Sequence, residues 1–122
     1  MLSTEKARPA FPAMYGLLWP LLVEVARDHG YALGLHGSLA RDMDVIAAPW
    51  TEDASPADVL VEALCARVGF LVLEGGDAQG NGHRDPSPKP HGRLAWALHL
   101  SGGAYIDLSV MPRAVGAPVT DA

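Results

Sequence analysis

Residues 36–46 read His36-Gly37-Ser38-Leu39-Ala40-Arg41-Asp42-Met43-Asp44-Val45-Ile46. Leu33 and Leu35 ahead of this stretch, and Val45 and Ile46 at its end, mark two short strands. The spacing predicts strands over Tyr31–Gly37 and Asp42–Pro49, with Ser38–Arg41 as a tight connection. So short a link joins antiparallel neighbours, a hairpin. Strand side chains alternate faces, so Asp42 and Asp44 point the same way, about 7 Å apart along the backbone. Two acids on one sheet face repel each other. A hard divalent ion with oxygen ligands is the leading candidate to offset that cost. The alternative is a pair of turn acids whose side chains bond local backbone.

A third carboxylate fits the same picture. Ala104–Met111 reads as a strand, with Ile106, Leu108 and Val110 on a core face and Tyr105, Asp107 and Ser109 on the other. If it lies beside the Asp42/Asp44 strand, three carboxylates converge. The alternative for Asp107 is an acid paired with arginine.

This pattern resembles the nucleotidyltransferase superfamily, the DNA polymerase β-like palm. In that family a Gly-Ser ends one strand, an Asp-x-Asp opens the next, and a third Asp sits on a later strand. Gly37 and Ser38 match the Gly-Ser, Asp42 and Asp44 the paired acids, and Asp107 the third. The likeness covers residues 31–49 and 104–111. The segment from His36 to Trp50 also resembles small uncharacterised phage or prophage proteins. The superfamily likeness implies that Asp42, Asp44 and Asp107 hold Mg²⁺ or Mn²⁺. It implies that Asp107 also serves as catalytic base, and that a nucleoside monophosphate is transferred to an acceptor. Gly37 and Ser38 would then face the nucleotide. The family connects Gly-Ser to Asp-x-Asp by a longer segment, often with a helical turn. Here Leu39, Ala40 and Arg41 alone intervene, which leaves no room for a helix N-terminus to cradle phosphate. The alternative is therefore a catalytically inactive binding or regulatory module of phage or prophage origin on the same scaffold.

At 122 residues the chain is one domain with a single core. Hydrophobic residues make up 49% and charged residues 19%, a globular composition. Arginine outnumbers lysine and alanine is abundant, a compositional hint of a GC-rich bacterial or phage genome. The formal net charge of −5 disfavours strong nucleic-acid binding, whose affinity comes mostly from phosphate contacts. It leaves room for a metal-bridged nucleotide. With one cysteine, Cys65, no intrachain disulfide forms, and a cytoplasmic setting, in a bacterium or a phage-infected host, is expected. No signal-peptide pattern or membrane span is read in the sequence. Oligomeric state is not legible.

Along the chain, residues 1–11 read as a mobile arm and Met14–His29 as a helix that Pro20 kinks or restarts. Ser55-Pro56 reads as an N-cap and first helical position for a helix reaching Val68 and stopped by Gly69. Phe70–Glu74 reads as a third strand, 75–90 as a long polar loop or flap, and Leu94–Leu100 as a strand paired with Ala104–Met111. The tail, 114–122, reads as peripheral. The expected fold is α+β, a compact nucleotidyltransferase-like domain. Its sheet is mixed, mostly antiparallel, of about five strands, with two helices on one face and the acids on the other.

Basic residues gather at His83-Arg84 and in Lys89-Pro90-His91-Gly92-Arg93. Lys89 and Arg93 are the candidate phosphate ligands, with a merely solvated basic loop as the alternative. His36 reads as a metal ligand or base, or as a satisfied half-buried residue. His99 reads as structural. Trp19, Trp50 and Trp96 read as core or rim residues, with base stacking as a second possibility for Trp50. No zinc-ligand spacing is present.

Overall fold

The computed structural model describes residues 12–40, 42–69, 72–73, 86–100 and 104–114. Helix α1 spans Pro12–Asp28, followed by the hairpin β1, Tyr31–His36, and β2, Asp42–Pro49. Helix α2 spans Ala57–Val68. The short strands β3, Val72–Leu73, and β4, Ser87–Pro88, precede β5, Leu94–His99, and β6, Tyr105–Val110. The strand order is β1-β2-β6-β5-β3, with β4 also on β5. β2 and β6 run parallel, and every other pairing is antiparallel. The protein is thus α+β with a mixed sheet, as the strand and helix patterns imply.

Alternation decides the layers. Met43, Val45 and Ala47 of β2, Ile106, Leu108 and Val110 of β6, and Trp96 and Leu98 of β5 are buried. They meet Tyr15, Leu18, Leu22, Val25 and Ala26 of α1 and Leu60, Val61 and Leu64 of α2. Among the described residues this core contains no buried charged or polar residue. Residues of opposite parity, Asp42, Asp44, Tyr105, Asp107 and Ser109, occupy the other face and keep contact with solvent.

α1 continues through Pro20. The lost hydrogen bond falls on the exposed side, where Gly16 and Pro20 both meet water that can serve the Gly16 carbonyl. The expected cap of α2 is corrected: Pro56 is the N-cap residue, and no side chain caps this end. Ser55 is engaged elsewhere. Its Oγ lies 2.9 Å from His29 Nδ1, its N–H donates to the His29 carbonyl at 2.9 Å, and its carbonyl accepts from the Tyr31 hydroxyl at 2.7 Å. Arg113 Nη1 donates to the neighbouring Ala54 carbonyl at 3.2 Å. These bonds tie the α1–β1 turn, the β2–α2 connection and the segment after β6 into one knot. Gly30 makes the turn at φ +84; a Cβ there would stand 2.7 Å from Ala54 Cα.

Of the loop expected over 75–90, only the end from residue 86 is described. Ser87 and Pro88 pair with Ala95 and Leu94, and Pro90–Gly92 forms a 3₁₀ turn with His91 at φ 67. Residues 74–85, with His83 and Arg84, lie outside the described residues, as do the arm 1–11 and tail 115–122.

Candidate metal centre

Parallel pairing of β2 with β6 sets Asp44 opposite Asp107 and Asp42 opposite Tyr105. The β1 hairpin sets His36 opposite Asp44, and β5 sets Ala97 opposite Asp107 and His99 opposite Tyr105. Read across the open face, one row is His36, Asp44, Asp107, Ala97. The adjacent row is Asp42, Tyr105, His99. The three aspartates each offer a carboxylate oxygen, and these atoms all lie within 4.8 Å of one another.

The electrostatics follow from this crowding. Burial holds the Asp44 carboxyl above the usual carboxylate range, and the charge of Asp42, a hydrogen bond shared with it, and the charge of Asp107 add to the effect. An imidazolium at His36 pulls the other way. Tyr105 is pushed up by burial and then by the charge of Asp42 and a hydrogen bond to it, so its hydroxyl stays protonated. Its ring stacks on His99, with centroids 5.3 Å apart and planes 20° apart. From the helical layer, the Tyr15 hydroxyl donates to the Tyr105 carbonyl at 3.5 Å. Burial raises the Tyr15 hydroxyl, the bond to Tyr105 lowers it, and the Asp42 charge adds a smaller upward push.

Gly37 closes the site from the hairpin. Its φ of +79 is a left-handed conformation, and a Cβ built on it would overlap Asp44 Oδ2 and stand 3.1 Å from Asp44 Cγ. Glycine is thus required twice, by the turn and by the carboxylate. Ser38 follows at the mouth, where its Oγ accepts the Ala40 N–H at 3.2 Å.

Gly37, Ser38, Asp42, Asp44 and Asp107 therefore assemble, with His36 beside them. Lys89 and Arg93, the candidate phosphate ligands, are placed apart from them. Leu94 pairs with Val110, so Arg93 flanks the end of β5 remote from Asp107, about 13 Å away along the strands. Gly92 abuts Pro112 there, and Arg93 Nη1 donates to the Pro90 carbonyl at 3.3 Å. Trp50, 78% exposed, stands at the same remote end of β2, away from any base held at the acids. Trp96 is core. Tyr105 falls on the site face by its spacing of two from Asp107, but a contact with Asp42 needs the pairing of β2 and β6. Tyr15 carries no such signal, because its helix reaches the site only through tertiary packing. The concave surface lined by Glu24, Asp28, His29, Ala63 and Arg67 lies between the helices, on the far side of the sheet.

The donor set fits a hard divalent ion. All three candidate ligands are carboxylates, as Mg²⁺ and Mn²⁺ favour. Their spread of 4.8 Å suits a shared ion after small side-chain rotations, or two ions about 3.5–4 Å apart. Comparison with protein families, with curated proteins and with solved structures gave no match. Among the described residues, no helix is long and apolar enough to cross a membrane.

Proposed function

We propose that this protein is a divalent-metal-dependent nucleotidyltransferase. One observation carries the reading: three carboxylates from two adjacent parallel strands place oxygens within 4.8 Å on one open sheet face. Bound Mg²⁺ or Mn²⁺ would neutralise the phosphate oxygens of a nucleoside triphosphate. In this reading Asp42 and Asp44 would hold the ion, and Asp107 would complete the ligand set. Asp107 also accepts the proton of the acceptor hydroxyl as its oxygen bonds the α-phosphorus and pyrophosphate departs. Gly37 keeps the mouth open beside Asp44, and the exposed Ser38 hydroxyl retains its hydrogen for a phosphate oxygen. Tyr105 orients Asp42.

A second reading is a catalytically inactive binding or regulatory module. The remote position of Lys89 and Arg93, with the short Ser38–Arg41 connection, favours it. The two separate on pyrophosphate release from a panel of nucleoside triphosphates with Mg²⁺ or Mn²⁺, together with equilibrium binding. Release that disappears in Asp107→Asn supports the enzyme. Metal-dependent nucleotide binding without release supports the module. Absence of any divalent-ion binding removes the enzyme and leaves only a module that works without metal.

A further inference from the structure

The two edges of the sheet are built differently. Among the described residues, one carries only the two-residue strands β3 and β4, and Pro88 sits in β4. The other is β1, six residues of Tyr-Ala-Leu-Gly-Leu-His with no proline and no acidic or lysine or arginine residue. Among the described residues β2 alone pairs with it. Soluble proteins normally protect such an edge by charge, proline, a bulge or brevity.

The direction of its free backbone groups can be derived. The Trp50 N–H donates to the Gly30 carbonyl at 2.8 Å. In an antiparallel ladder alternate residues direct both backbone groups to the same side. Ala32, Gly34 and His36 thus bond β2, while Tyr31, Leu33 and Leu35 point outward. The Ala47 carbonyl agrees: opposite Leu33, it faces away from β1 and accepts the Met111 N–H at 2.9 Å. Tyr31 is only 2% exposed, so the usable edge runs from Ala32 to His36. Leu35 is 42% exposed, and a Cβ on Gly34 would meet nothing within 4 Å.

We propose that two copies of this chain pair antiparallel through β1 about a two-fold axis at Gly34. That register sets Leu33 against Leu35 of the partner subunit, and the reverse, as hydrogen-bonded pairs. It sets Gly34 against the partner's Gly34 as a close, non-hydrogen-bonded pair. It uses the outward N–H and C=O groups of Leu33 and Leu35 and covers the exposed Leu35 with an apolar neighbour. Backbone parity admits it because both bonded residues are outward-facing. The occupant is a second copy in isologous contact: in this register the edge complements itself, whereas among the described residues the other edge presents only the two-residue strands β3 and β4. Both aspartate clusters then lie on one face of a continuous sheet.

Light scattering coupled to gel filtration should give twice the 12.9 kDa chain mass, and Leu35→Lys should return the monomer. Gly34→Cys should cross-link to itself under mild oxidation, because non-hydrogen-bonded pairs approach within disulfide range. Ala32→Cys, which faces the partner's His36, should not. A monomer at the highest soluble concentration overturns the proposal. So does a dimer in which Gly34→Cys fails to cross-link, since that places the contact elsewhere. Neither outcome bears on the metal reading, which each subunit carries alone.

Discussion

Asp44 and Asp107 stand directly opposite each other on neighbouring parallel strands, on the sheet face that the helices leave uncovered. Like charges in register across a ladder destabilise it. Asp42 adds a third carboxylate to the same patch. The arrangement costs the metal-free fold something, and that cost has measurable consequences.

The first concerns pH. In the folded, metal-free protein Asp44 binds its proton more tightly than in the unfolded chain, because of burial and of Asp42 and Asp107. Between the unfolded value, near 3.8, and the raised folded value, the native state holds more protons. Stability contributed by this group therefore falls as pH rises through that window. In chelator, urea melts should show the wild type losing stability as pH rises from near 3.8 through the raised folded value. Asp44→Asn should flatten that slope and be the more stable protein at neutral pH. A variant that is less stable at every pH would identify Asp44 as a satisfied structural acid.

The second concerns Gly37. Alanine there would hold a left-handed φ at a cost of about 1–2 kcal/mol, and its methyl group would push Asp44 Oδ2 aside. Gly37→Ala should lose roughly that much stability in chelator. It should lose a larger share of any divalent-ion response, because the displaced oxygen is a proposed ligand. A full ion response in the variant would show that Asp44 Oδ2 is not needed.

The third concerns the basic residues. Lys89→Ala and Arg93→Ala should leave the divalent-ion response unchanged, and shift stability by no more than about 0.5 kcal/mol. Ion titrations followed by melting temperature check this. A lost response would require the 3₁₀ turn to reach the acids.

The contrast between Asp107 and Arg93 shows what the sequence reveals and what it withholds. Period-two alternation was enough to place Asp42, Asp44 and Asp107 on the face away from the core. The bounds of β2, Asp42–Pro49, follow from the same pattern. The separation of Arg93 from the acids has a topological reason. β5 runs antiparallel to β6, so its first residues lie at the end away from Asp107, and no local pattern carries that information. Ser55 is a similar case. As a Ser-Pro before a helix it resembles a cap, but His29 and Tyr31 claim it through tertiary contacts. The place of His36 beside Asp44 needs the hairpin register, which the sequence implies only once both strand limits are known.

The fourth prediction concerns that knot. Tyr31→Phe removes the donor to the Ser55 carbonyl, a 2.7 Å bond in partly buried surroundings. Urea denaturation should show a loss of about 1–2 kcal/mol. The divalent-ion response should be retained, because the knot lies at the end of β1 opposite the aspartates. A stability change near zero would mean that water replaces the hydroxyl.

The central claim is that Asp42, Asp44 and Asp107 form a divalent-metal site. The most direct measurement is a melting curve of the chelator-treated wild type and of Asp44→Asn and Asp107→Asn, each with and without millimolar Mg²⁺ or Mn²⁺. The wild type should melt at a higher temperature with either ion, and the two variants should not respond. Asp44→Asn in chelator should melt above the wild type. A wild type indifferent to both ions, with Asp44→Asn melting below it in chelator, would contradict the claim and leave the three aspartates as ordinary surface acids.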